Sequence, residues 1–285
     1  MDDPKPMADS SDSAPASDSA APDPAAAARP GPGWLGPGWL GNIRVALGFF
    51  TRLPVRAPAG AGPGQLAQAA PAFPLAGLAI GLIGSGVYLL AMEIGLSGLL
   101  AALLAVAATV IAGGALHEDG LADFADMLGV RGDRARKLAV MRDSRIGSYG
   151  TLALGFSVAI KVSALVGLGE PRLVAGALIA AQVMGRAVLP VVMRSLPLAR
   201  GDGLAADAGK PSNAGMYQAL GLGLLIAAFA CGPGSALVSL VVAVVAAYLV
   251  AEIARRQLGG YTGDVLGAAQ EIAQLAILIN IVSLA

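Results

Sequence analysis

Seven stretches of this chain are apolar over close to the twenty residues that a bilayer-spanning helix needs, and no other feature constrains the fold as much. They fall at about 71–91, 97–116, 150–168, 173–193, 215–231, 235–254 and 267–285. Several are rich in Gly and Ala, the small residues that let helices approach closely in lipid. Composition agrees: 56% of the 285 residues are hydrophobic, glycine raises that share to about 70%, and only 13% are charged. Mean hydropathy is +0.70. A soluble core of this size cannot hide that much apolar surface. The sequence therefore predicts an all-α, polytopic helical bundle of about seven transmembrane helices, six to eight, with polar loops.

The long polar connections, 117–149, 194–214 and 255–266, alternate with short ones at 92–96, 169–172 and 232–234. Seven crossings put every long connection and the N-terminal segment on one side. Sixteen of the 19 Lys and Arg residues fall on that side; Arg172 lies opposite and Lys161 and Arg186 lie within spans. The positive-inside rule makes the basic side cytoplasmic and the membrane the cytoplasmic (inner) one. The 215–231 run is the shortest, and losing it would break the alternation.

Residues 1–40 read as a disordered Ala/Pro/Asp/Ser-rich tail ending in a tandem GPGWL, whose Trp34 and Trp39 suit a membrane interface. The tail has no basic start followed by an apolar stretch, so it does not resemble a secretory signal. Residues 41–285 form the membrane-embedded domain, opened by 42–53, an amphipathic segment suited to the interface. A net charge of zero argues against nucleic-acid binding, and the single Cys231 excludes an internal disulfide framework.

The chemistry concentrates in 113–129, GGALHEDGLADFADMLG. On a helix, Asp119, Asp123 and Asp126 stand at i, i+4 and i+7 and share one face. Like charges so placed repel, so a cation should compensate, and oxygen-only ligands favour a hard ion such as Mg²⁺. Asp119 and Asp126 are about 10 Å apart along the axis, so two metals, or one shared with a substrate phosphate, fit better than one ion held by all three. A solvated helix with Asp119 near its start is the plainer alternative. His117 is the only histidine. The basic residues follow the acidic ones, ending in MRDSRIGSYG at 141–150, where Arg142 and Arg145 offer guanidinium forks for phosphate oxygens. Gly147 and Gly150, beside Ser144 and Ser148, allow a tight turn that brings backbone N–H groups toward an anion. Lys161 and Arg186 are costly inside hydrocarbon and point to a polar cavity open to the cytoplasm, with snorkelling the alternative. In LGGYTGDVLGAAQE at 258–271, Asp264 opens the last helix as a fourth carboxylate or an N-cap.

Taken together, these segments resemble the cobalamin synthase family, the adenosylcobinamide-GDP ribazoletransferases. The resemblance covers residues 42–285 and rests on FFTRLPV at 49–55, FPLAGL at 73–78, GGALHEDGLADFADML at 113–128, MRDSRIGSYG at 141–150 and LGGYTGDVLGAAQE at 258–271, in the family's order. Two positions depart from it: Glu118, where other members often have an apolar residue, and Met127, where glycine is common. The resemblance implies attack by the 5′-hydroxyl of α-ribazole, or of its 5′-phosphate, on the cobinamide-linked phosphorus of adenosylcobinamide-GDP, releasing GMP. It assigns Asp119, Asp123 and Asp126 as Mg²⁺ ligands and catalytic groups, and Asp143 or His117 as base. Substrate contacts are expected from Arg142, Ser144, Arg145, Lys161, Arg186, Thr262 and Asp264. The expected partners are these two substrates and the lipid bilayer, with no nucleic acid; the sequence is compatible with an oligomer. Two other readings stand beside it. A CDP-alcohol phosphatidyltransferase also carries a DG-containing aspartate cluster, but its trailing spacing is absent here. A transporter would show internal repeats and broken helices, and the sequence displays neither.

Overall fold

A computed structural model of the chain describes residues 1–2, 37–56 and 62–285. The architecture below lies in one compact unit, Pro37–Ala285. The expected disordered tail and the first GPGWL fall outside the described residues. The second GPGWL contributes Pro37–Leu40 to a helix, four residues before the expected start of the domain.

Helix α1 (Pro37–Phe50) buries Ala46 and Phe50 and leaves Arg44 exposed, the amphipathic pattern expected of it. Thr51 closes it by donating its hydroxyl to the Leu47 carbonyl at 2.7 Å. A short helix α2 (Gln65–Gln68) and a 3₁₀ turn at Ala70–Ala72 lead into α3 (Phe73–Glu93). Next come α4 (Gly98–Gly113) and α5 (Leu116–Gly129), then a surface helix α6 (Arg134–Val140). The long helix α7 (Ser148–Leu168) precedes α8 (Pro171–Ala187) and α9 (Leu189–Ser195). A one-turn α10 (Leu204–Ala208) precedes α11 (Asn213–Cys231), α12 (Pro233–Leu258) and α13 (Gly263–Leu284). Among the described residues extended pairing is limited to one isolated bridge, Leu198 to Tyr261.

Six helical segments are long and apolar enough to cross a membrane, and α4 with α5 qualifies as a seventh when the two are taken as one span bent by 91°. All seven expected runs are helical. The short 215–231 run extends to 19 residues because Ser212 caps its start, accepting from the Gly215 N–H at 2.9 Å. The absence of broken helices expected from the sequence is not what the structure shows. Besides the α4–α5 bend, the 171–195 crossing is interrupted at Val188, where Pro190 follows and can donate no backbone hydrogen bond.

The bundle is held by small residues. A Cβ at Gly77 would lie 2.3 Å from the Gln182 carbonyl oxygen, and one at Gly81 2.8 Å from Ile179 Cα. The α3 backbone therefore lies directly on α8, the packing that Gly- and Ala-rich spans permit. Helix α8 forms the centre, buried along nearly its whole length against α3, α11 and α13. The outside is the reverse of a soluble protein: Phe156, Phe229, Leu237, Val241 and Leu249 are all exposed. Such a continuous apolar exterior suits lipid, not water. This is a multi-pass membrane protein. Alternating crossings gather the N-terminal ends of α3, α7, α11 and α13 and the C-terminal ends of α9 and α12 at one face, where the long connections meet.

Candidate functional site

Two left-handed residues make the turn that builds the site. Gly114 (φ 68°) and Ala115 (φ 55°) end α4 and start α5 at a right angle to it. Glycine adopts this conformation freely, whereas for Ala115 it costs about 1–2 kcal/mol. Arg52 occupies the space that a side chain at Gly114 would need, and its backbone N–H donates to the Ala112 carbonyl at 2.7 Å. The bend is thereby tied to the end of α1.

Helix α5 then crosses α13 at a glycine pair. A Cβ on Gly120 would stand 2.9 Å from the Asp264 carbonyl oxygen and 3.0 Å from Gly267 Cα. This contact brings Asp264 beside the acidic face of α5, where it is the foremost like-charge neighbour of Asp123, ahead of Asp119 and Asp126. Asp119 is exposed, and Asp123 and Asp264 are half-buried. Among the described residues no cation lies within ion-pair distance of Asp119 or Asp123, and Arg200 reaches Asp264 only at 4.0 Å. Asp126 has a different position. Its two oxygens accept the N–H groups of Gly147 at 2.7 Å and Gly150 at 2.9 Å, so it caps the start of α7. The backbone amides of that turn thus meet a carboxylate of the protein itself. Met127, at a position where the family often has glycine, leaves the helix intact to Gly129.

Opposite the acidic face runs the 141–147 segment. Between them lies a cleft of about 370 Å³, lined on one side by Glu118, Asp119 and Asp123 and on the other by Arg142, Asp143 and Ser144. Both arginines are paired at the surface: Arg142 Nη2 with Asp202 Oδ2 at 2.6 Å, Arg145 Nη2 with Asp143 Oδ2 at 2.6 Å. The Arg145 side chain and backbone N–H hold the Asp143 carboxyl down at about 2. The loop carrying Arg200 and Asp202 is pinned to the start of α13. Ala199 N–H donates to the Tyr261 carbonyl and Tyr261 N–H to the Pro197 carbonyl, each at 2.9 Å. Thr262 is buried; its hydroxyl caps α13 at the Val265 N–H and donates to Asp264 at 3.1 Å.

Lys161 and Arg186 line neither this cleft nor the apolar cavity beside it. Each has buried partners instead. Lys161 Nζ pairs with Glu271 Oε2 at 2.6 Å and faces Glu118 Oε1 at 3.6 Å. Ser157 and Gln274 also donate to Glu271, at 3.1 and 3.4 Å. Gln274 accepts from Gln182 at 3.1 Å, and Gln182 in turn accepts from Arg186 Nη1 at 2.5 Å. Arg186 Nη2 lies 3.4 Å from His117 Nδ1 and its guanidinium stands 5.8 Å from the Phe50 ring centroid. The polar cavity expected around these two cations is a packed ion and amide network joining α5, α7, α8 and α13. Glu271 was not singled out from the sequence. Its signal was available, since an acid in the apolar run of the last helix needs a buried partner, and Lys161 needed one too. Glu118, noted only as a departure from the family, supplies the second carboxylate.

The apolar cavity, of about 130 Å³, has walls of Phe49, Phe50, Phe73, Leu189 and Met193, with Leu204 at its rim. His117, Asp119 and Asp264 provide its polar groups. His117 is buried and stacks on Phe50 at 5.6 Å between centroids. Asp119 lines both this cavity and the charged cleft.

The donor chemistry fits Mg²⁺, which is held by one or two carboxylates plus substrate phosphates and water more often than by a protein cage. Asp119 and Asp123 carry unpaired oxygens at the cleft. Among the described residues no group of three His, Cys, Asp or Glu side chains converges on one ion position. Both facts suit an ion completed by a substrate.

Fold and site together define a multi-pass, all-helical membrane protein with a charged cleft at one face of its bundle. The chain belongs to the cobalamin-5-phosphate synthase family, whose model matches residues 42–282. It is 47% identical over 238 residues to the adenosylcobinamide-GDP ribazoletransferase of Bradyrhizobium diazoefficiens, covering 84% of this chain and 92% of that protein. Proteins of the same name from Azorhizobium caulinodans (42% identical, 84% and 94% covered) and Mesorhizobium japonicum (43%, 84% and 91%) are also similar. No solved structure matches the chain.

Proposed function

We infer that this chain is a transferase joining adenosylcobinamide-GDP to α-ribazole or α-ribazole 5′-phosphate, giving adenosylcobalamin or its 5′-phosphate and GMP. The observation that carries this reading is the cleft that sets Asp119 and Asp123 opposite Arg142, Asp143 and Ser144. Carboxylates on one wall and the Arg142 guanidinium on the other, with Arg145 exposed nearby, suit a metal-bound diphosphate.

In the reaction, a ribose ring hydroxyl of the acceptor, not the 5′-oxygen expected from the sequence, bonds through its oxygen to the phosphorus esterified to the cobinamide, because the 5′-phosphorylated acceptor has no free 5′-hydroxyl and its product keeps that phosphate. The bond from that phosphorus to the bridging oxygen breaks, and its electron pair leaves on GMP. Mg²⁺ held by Asp119 and Asp123 would neutralise charge on the diphosphate and on the departing GMP. Asp126 still has a free lone pair on each oxygen, and its role is to fix the 147–150 turn against α5. Arg142 and Arg145 are exposed and held only by surface ion pairs, which are weak, so a phosphate can draw them away. Releasing Arg145 frees Asp143, and a carboxylate so released becomes a better acceptor for the hydroxyl proton. His117 suits that task less. Arginine has only donors, so its contact with Arg186 makes Nδ1 the acceptor and leaves the proton on Nε2. The basic-residue bias places the cleft in the cytoplasm and the protein in the cytoplasmic membrane.

The test is a membrane-fraction assay of adenosylcobinamide-GDP with either acceptor, with and without Mg²⁺, following corrin product and GMP together. Equal, metal-dependent amounts of both are expected, and Asp123→Asn should lower kcat at least about 100-fold while the protein still inserts. Turnover of CDP-diacylglycerol with no corrin product would overturn the reading in favour of a lipid phosphotransferase.

A further inference from the structure

We propose that the apolar cavity behind Asp119 is the subsite for the acceptor's aromatic base, and that its lining selects apolar bicyclic rings over purines. This rests on the transferase reading above and adds where the acceptor binds and what it must be. Asp119 alone is shared by the cavity and the charged cleft. A riboside whose ring fills the cavity therefore carries its ribose, with the reacting ring hydroxyl, past Asp119 into the cleft where the phosphates lie. The cleft itself mixes Glu118, Asp119, Asp123, Arg142 and Asp143 with small and aliphatic side chains and offers no aromatic face to a ring.

The walls suit a flat apolar ring. Phe50 packs edge-on against Phe49 and Phe73, with centroids 4.9 and 4.8 Å apart, so the cavity presents ring faces and edges together. Phe50, Phe73, Leu189 and Met193 are at most 3% exposed, so this wall is fixed by the core. The polar groups, His117, Asp119 and Asp264, stand at the elements α5 and α13 that border the cleft, and the far wall has none. A purine placed here would bury its ring nitrogens and amino group without partners, at the desolvation cost of an unmade hydrogen bond. Methyl groups on the base would gain contact instead, each worth about fourfold in affinity.

The measurement compares three acceptors on the membrane-embedded full chain: α-ribazole and the α-ribosides of unsubstituted benzimidazole and of adenine. The kcat/KM is expected to fall roughly tenfold on removing the two methyls and at least another tenfold for adenine, chiefly through KM. Equal values for the three would overturn the proposal while leaving the transferase intact. Leu204→Trp places an indole at the rim, at a residue 61% exposed and so tolerant of change. It should raise the acceptor KM at least tenfold and leave the KM for adenosylcobinamide-GDP unaltered. A rise confined to the donor would assign the cavity to the corrin substrate, and no change in either would leave it to lipid; both outcomes overturn the proposal. Equilibrium dialysis of α-ribazole against purified protein separates the two inferences. Binding that Leu204→Trp abolishes, without any transfer by the parent, would sink the transferase and keep the subsite.

Discussion

At the scale of single residues, the charges divide into an open set and a buried set. Asp119, Asp123, Arg142 and Asp143 line the cleft, Arg145 stands exposed beside it, and Asp143 is held near 2 by that arginine. A group depressed that far is fully ionised at any pH above about 4. The kcat/KM profiles of the parent and of Asp143→Asn should therefore have the same shape from pH 4 to 9 and differ only in height; a limb that only the parent shows would place the titration of Asp143 in that range. The buried set obeys different physics. Removing one member of a desolvated pair leaves the other uncompensated. Lys161→Met should cost about 3–5 kcal/mol in thermal denaturation of detergent-solubilised protein, and adding Glu271→Gln should return a large part of it. Additive losses in that double-mutant cycle would mean that the 2.6 Å pair contributes no coupling. The acidic face of α5 and the two arginines were legible in the sequence from spacing alone. The Glu271 partner of Lys161 was not, because it lies 110 residues away and becomes a neighbour only through helix packing; Gln182, four residues before Arg186 on the same helix, lies within reach of helical spacing.

At the scale of elements, position is set by small residues at crossings. The α5–α13 contact at Gly120 and Gly267 places Asp264 against Asp123, and no side chain larger than hydrogen fits there. Gly120→Leu should push the two helices apart, reducing activity far more than Asp264→Asn does and lowering stability by about 1–3 kcal/mol. Activity retained in Gly120→Leu would show that the crossing does not set the site. The seven apolar runs were readable as helices, and their extents differ from the observed ones by only a few residues. The right-angle bend at Gly114 and Ala115 was not readable. Alanine carries no signal for a left-handed conformation, and it is tertiary contact with Arg52 and the neighbouring helices that holds it there.

At the scale of the whole molecule, alternation of crossings gathers every long connection at one face. In a Cys231→Ser background, Ser144→Cys should react with a membrane-impermeant maleimide only from the cytoplasmic side, and Gly234→Cys, exposed in the first turn of α12 at the opposite end of the bundle, only from outside. Labelling in the reverse sense would invert the proposed orientation. The sequence by itself determined the membrane fold, the order of long and short polar connections and the residue types of the cleft, because hydropathy and helical spacing are local and periodic. Only the tertiary structure decided that Asp126 caps α7, that Lys161 and Arg186 are locked in a packed network away from the cleft, and that Asp119 stands between a charged and an apolar cavity. Those outcomes depend on which helices cross and how closely. In lipid that choice is made by the fit of glycine and alanine surfaces across segments far apart in the chain, which no local pattern encodes.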